Sequence, residues 1–148
     1  MSISIESPNG HRLADVKRIS VHGLPGVGGY TLVINLHLIV SSPDADTFLS
    51  NLSLRVDWGD RHQRMLGSGI PEQAQPICIS PYENEKTITF RLLLLPSQIE
   101  AIETLRNGGD INLSMWLLGS VIKEGNSRSI QQQGAYKVNQ QEWVEALN

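Results

Sequence analysis

Apolar and polar residues alternate along most of this chain with a period of two, the spacing of strands that bury one face. The clearest run is Lys86–Leu95, with Ile88, Phe90, Leu92 and Leu94 on one side and Thr87, Thr89 and Arg91 on the other. Tyr30–Val40 is the strongest strand: Leu32, Ile34, Leu36, Leu38 and Val40 share a face. Its opposite face mixes Val33, Asn35, His37 and Ile39, which predicts partial cover by another element or a partner. Leu52, Leu54, Val56 and Trp58 alternate with Ser53, Arg55 and Asp57, and Ile111, Leu113, Met115 and Leu117 repeat the pattern. Short strands are expected at Ile3 and Ile5, at Ile77 and Ile79 between Pro76 and Pro81, and at Tyr136 and Val138. Val16, Ile19 and Val21 alternate imperfectly, as a strand with a bulge does. Gln131-Gln132-Gln133 reads as a polar turn.

Two segments change period. After Pro96, Ser97 and Glu100 form a capping box, Ile99, Ile102 and Leu105 fall on one helical face, and Asn107-Gly108-Gly109 ends the run. Asn139 to Glu142 is a second capping pattern, with Trp143, Val144 and Leu147 spaced for a helix of little more than two turns. Such a helix is marginal alone, so it is expected to dock on the rest or continue into further chain. The expected fold is mainly β: an antiparallel β-sandwich (or barrel) of about eight strands, with one short inserted α-helix and a short C-terminal helix. At 148 residues it reads as a single domain over 1–148, or as the N-terminal part of a longer protein.

A net charge of −3 and the absence of a dense Lys/Arg cluster argue against nucleic acid and anionic membrane as partners. Cys78 is the only cysteine, so no internal disulfide can form, which suits a reducing compartment. The first twenty residues carry Glu6, Arg12, Asp15, Lys17 and Arg18 and no apolar core, unlike a signal peptide or a spanning helix. A cytoplasmic protein is expected.

Candidate chemistry is sparse. The stretch from Gly23 to Thr31 has the glycines of a phosphate-cradling loop but Gly29 and Tyr30 where Lys and Ser/Thr would be needed, and it leads into a strand instead of a helix. It reads as a flexible hairpin or inter-sheet loop whose Leu24, Pro25 and Val27 are candidate partner contacts. Asp57, Asp60 and His62 are ligand types for a divalent metal, although Asp57 belongs to a strand's outward face and the other two to the turn beyond Gly59. His22 could join them only through tertiary folding, and His37 reads as a surface or hydrogen-bonded structural residue. Cys78 has no nearby histidine to activate it, and Glu100 and Glu103 lie on the outside of a short helix. No catalytic residue and no cofactor is assigned.

The run from Leu92 to Gly119, with its E-x-x-R-x-G-G-D exit at Glu103–Asp110, and the closing Q-x-x-W-V-x-x-L at Gln140–Leu147 resemble an N-terminal β-sandwich domain of uncharacterised bacterial proteins. The resemblance covers roughly the last third of the chain, from Arg91 onward. It implies a recognition or scaffolding domain. The functional expectation is a non-enzymatic protein-binding or adaptor domain, with Leu24, Pro25, Val27 and Trp143 as contacts. Its partner would be another protein, a further domain of the same polypeptide or a second copy. The alternative is a metal-dependent hydrolase, or a protein that binds a metal or small ligand, built on Asp57, Asp60 and His62.

Overall fold

The computed structural model describes residues 2–26, 29–41, 43–59, 64–94, 103, 107, 111–138 and 143–145. Every regular element among them is a strand. In chain order these are β1 (Ser4–Glu6), β2 (Arg12–Gly26), β3 (Gly29–Val40), β4 (Thr47–Trp58), β5 (Arg64–Gly69), β6 (Ile77–Ile79), β7 (Glu85–Leu94), β8 (Ile111–Lys123), β9 (Asn126–Val138) and β10 (Trp143–Glu145). One five-stranded sheet runs β1-β2-β3-β7, with β10 on the same edge of β2 as β1; the other runs β5-β4-β8-β9, with β6 beside β5 on β4. All pairings are antiparallel except β10 on β2.

The alternation sends one face of each long strand into a single core shared by both sheets. Leu32, Ile34, Leu36 and Leu38 of β3, Ile88, Phe90, Leu92 and Leu94 of β7, and Leu113, Met115 and Leu117 of β8 are buried as their spacing predicts. The bulge expected near Val16 is present: pairing of β2 with β3 shifts between Val16 and Arg18, leaving Lys17 without a partner residue. Removing these side chains from water is the main driving force for the fold.

Four expectations need correction. The C-terminal segment is a strand where it is described, with Trp143 opposite Val21 and Glu145 opposite Gly23. Its helical spacing yields to the free backbone groups on that edge of β2, which a strand satisfies in a row. Of the two readings of the stretch from Gly23, the inter-sheet loop gives way to the hairpin, and a tight one: β2 runs through Leu24 and Pro25 to Gly26, which pairs with Gly29, leaving only residues 27 and 28 between the two strands. Gln131-Gln132-Gln133 lies in mid-strand in β9, opposite Leu118, Leu117 and Trp116. Among the described residues ten strands form where about eight were expected: β5 carries too few apolar residues to show as a periodic run, and β10 falls in the segment expected to be helical. The internal helix expected over Ser97–Arg106 falls outside the described residues except at Glu103, a helical position whose carbonyl accepts the Asn107 amide at 3.0 Å.

Candidate functional site

The two sheets approach each other along two seams. At the first, β5 lies against β7 and the chain beyond it keeps to the same edge. Pro71 bridges Phe90, the Glu72 amide donates to the Thr89 carbonyl at 2.8 Å, and the Gln73 side chain acts as a substitute peptide. Its Nε2 donates to the Thr87 carbonyl at 3.0 Å and its Oε1 accepts the Thr89 amide at 3.2 Å. An ion pair between Arg91 and Glu72 lies alongside. Gly69 is required for the approach: a Cβ there would overlap the Arg91 carbonyl oxygen and come within 2.9 Å of Leu92 Cδ2.

At the second seam β1 lies against β9. The Tyr136 hydroxyl accepts the Ile3 amide at 2.9 Å and donates to the Val16 carbonyl at 3.2 Å, tying β9 to both β1 and β2. Burial, and the nearby Asp15 carboxylate, raise the phenol above its ordinary value of 10.0 despite the Ile3 bond, so it stays a donor. Away from Tyr136 the strands part, leaving a groove of about 350 Å³ lined by Ile5, Glu6 and residues 128–132. An ion pair from Arg128 to Glu6, 2.6 Å long, crosses it. Among the described strands β9 pairs only with β8, so the edge facing this groove is open.

The outer face of the first sheet carries a polar chain. Thr89 Oγ1 donates to Asn35 Oδ1 at 2.7 Å, and Asn35 Nδ2 donates to Ser20 Oγ at 3.2 Å. Ser20 Oγ then lies 3.0 Å from His37 Nε2, and His37 Nδ1 is 3.3 Å from Thr87 Oγ1. All donors find acceptors when the imidazole is neutral with its proton on Nδ1. Burial first, then the charges of Arg18 and His22, hold His37 below its ordinary 6.5. His37 is thus the hydrogen-bonded structural residue its strand position suggested.

A further cleft, of about 300 Å³, lies where the β1–β2 turn, the segment after β3 and the end of β8 meet. It includes Ser7, Asn9, His11, Asp44 and Lys123. Lys123 hydrogen-bonds Asp44 and lowers its pKa.

Of the metal-candidate residues, Asp57 is buried, 5% exposed, at a register shift between β4 and β5. Its carboxylate is held by Arg55, Nε to Oδ1 at 3.2 Å and Nη2 to Oδ2 at 3.3 Å, and the Arg55 guanidinium sits 5.4 Å from the Trp116 ring centre. Asp60 and His62 lie outside the described residues. No group of three metal-binding side chains occurs among the described residues. Trp58 packs against the core as expected, and Cys78 is a half-buried free thiol opposite Phe48. Among the partner-contact candidates, Leu24 and Pro25 pair with Thr31 and Tyr30, Trp143 with Val21, and Val27 lies outside the described residues. Sequence reasoning missed the Tyr136 clamp and the open β9 edge, because both depend on β1 and β9 meeting across almost the whole chain.

No protein-family model matches the chain, and no curated protein matches it. Solved structures do. A crystal structure of a protein from Archaeoglobus fulgidus aligns with a TM-score of 0.51 at 10% identity, over 83% of this chain and 95% of that one. A solution structure of a protein from Arabidopsis thaliana aligns with a TM-score of 0.53 at 10% identity, over 92% of this chain and 83% of that one. The likeness is one of fold alone.

Proposed function

We propose that this chain is a non-enzymatic protein-binding domain, a β-sandwich that takes an extended segment of another protein along the free edge of β9. The observation that carries the reading is the contrast between edges. The outer edge of β7 has its backbone groups occupied by Glu72 and Gln73, whereas β9, thirteen residues long, borders a groove. An open edge offers a row of amides and carbonyls that an incoming strand can satisfy without any special side-chain constellation. Ser127, Arg128, Ser129, Gln131 and Gln133 are exposed along it, a polar surface suited to reversible pairing. The resemblance to an N-terminal β-sandwich domain of uncharacterised bacterial proteins, which implies a recognition or scaffolding role, points the same way. A cytoplasmic setting fits the single free thiol, and among the described residues no helix is long and apolar enough to cross a membrane.

The test is to capture partners from a lysate of the source organism on the immobilised domain and map the complex by hydrogen exchange. Slowed exchange at the amides of residues 126–132 supports edge pairing. Slowed exchange confined to other surfaces refutes it.

A further inference from the structure

The cations of this protein are almost all spoken for. Among described side chains, Arg12, Arg55, Lys86, Arg91, Lys123 and Arg128 are in ion pairs, and Lys137 has a polar partner. The exceptions are Lys17 and Arg18, adjacent in sequence and both exposed. The bulge in β2 is what unites them. Regular alternation would send one of two neighbours inward, but the inserted residue leaves both outside, between inward-facing Val16 and Ile19, with Arg18 opposite His37. They line a cleft of about 140 Å³ on the outer face of the first sheet, with His37 and Ile39 of β3 and Glu85, Lys86 and Thr87 of β7. Arg18 faces the imidazole, and after burial its charge is the next cause that lowers the His37 pKa.

We propose that this cleft binds a compact oxyanion, phosphate or carboxylate, with the Arg18 guanidinium and the Lys17 ammonium as its donors. This surface is distinct from the β9 edge and does not depend on the strand-pairing reading. The guanidinium presents paired donors that match two oxygens of such a group, and among the described residues no carboxylate forms an ion pair with it. Both ring nitrogens of His37 are already engaged, so the imidazole forms a wall and not a ligand. Glu85, which has no ion-pair partner among the described residues, opposes the anion from the other side and makes the sign of the charge effect testable.

The experiment is a nuclear magnetic resonance titration of the isotopically labelled full chain at low ionic strength, with inorganic phosphate in one arm and acetate in the other. Saturable shifts confined to residues 17, 18, 37 and 85–87 are expected. Arg18→Gln should weaken binding about three- to tenfold, as expected for one charge-assisted contact at a surface. Glu85→Gln should tighten it, and both variants are at exposed positions where folding is unaffected. Saturation by phosphate alone assigns a phosphate ligand; saturation by acetate as well admits carboxylates. Shifts that never saturate in either arm, or an Arg18→Gln midpoint equal to that of the parent, overturn the proposal.

Discussion

The two seams join the same pair of sheets by different means. Between β5 and β7 the join is made of backbone and a backbone mimic: the Pro71 bridge, the Glu72 amide and the Gln73 carboxamide follow β7 residue by residue. Between β1 and β9 it is made at separate points, the Tyr136 hydroxyl and the Arg128–Glu6 ion pair, with open groove beside them. A continuous join leaves no edge to offer, whereas side-chain contacts at separate points hold the sheets together and leave the backbone edge of the adjacent strand available. That is why binding is placed at β9 and not at β7.

The largest effect is expected at the continuous seam. Gly69→Ala places a methyl group against the Arg91 carbonyl, a backbone atom that cannot rotate away. The strands must separate, at a cost of about 2–4 kcal/mol by the usual range for overpacking and lost pairing. Urea unfolding measures it, and a loss below about 1 kcal/mol, within the range of an ordinary surface substitution, would show that β5 is not held closely to β7.

Tyr136→Phe tests the other seam by removing a single oxygen. The Ile3 amide loses its acceptor and the Val16 carbonyl a donor, and a buried group left unsatisfied costs about 1–3 kcal/mol. Because Tyr136 is the acceptor of the Ile3 amide, faster exchange of that amide should accompany the loss, with Thr89 unchanged. Acceleration at both would mean the seams are not independent.

These two regions also differ in how far the sequence announces them. The buried faces of β3, β7 and β8 were legible because each long strand has one face in the core and the other largely in solvent. So was the bulge that unites Lys17 and Arg18. β5 was not: of Arg-Met-Leu-Gly-Ser-Gly only Leu66 is a buried apolar residue, and its glycines, which read as turn residues, serve close approach to β7. β9 was legible only at Tyr136 and Val138, for a related reason, since an edge strand with one face in water needs few apolar residues; Ile130 and Val138 are its buried ones, with Gly134 inward between them because a Cβ would meet Ile3. The helical spacing of Trp143, Val144 and Leu147 was real but local, and pairing with β2 overrode it at Trp143 and Val144. None of the seam contacts could be read, because each joins residues that only the tertiary fold brings together. The metal reading rested on adjacency in sequence, and the one described member, Asp57, is taken by Arg55.

A smaller effect should follow from Gln73→Ala. Its carboxamide supplies two neutral hydrogen bonds to the edge of β7, in a half-exposed position where water can replace part of what is lost. About 0.5–1.5 kcal/mol is the expected range for such bonds. The informative consequence is functional. With Gln73 gone, β7 acquires an open edge, and concentration-dependent self-association measured by sedimentation should increase relative to the parent. No change would mean that Glu72 and Pro71 suffice to block the edge.

The smallest effect distinguishes the seams by pH. The Gln73 carboxamide bonds Thr87 and Thr89, whose hydroxyls belong to the chain containing His37; the other seam contains Tyr136. His37 has a folded-state pKa below its ordinary 6.5, so the unfolded chain takes up its proton first. Its contribution to stability is full above about pH 6.5 and is lost as pH falls through the lower, folded value. Protonation would also turn the Ser20 hydroxyl away from Nε2 and set a new charge beside Lys17, Arg18, His22 and Lys86, with Glu85 the one opposing carboxylate in that cleft. Tyr136 behaves in the opposite sense: its pKa is raised above 10.0, so its contribution is full below that value and is lost as pH rises through the folded one. His37→Gln should therefore flatten the stability profile on the acid side of pH 6.5 and leave the alkaline limb unchanged, while Tyr136→Phe should do the reverse. If His37→Gln leaves the acid slope as steep as in the parent, carboxylates elsewhere govern that limb, and the polar chain on the outer face contributes no pH dependence to the β5–β7 seam.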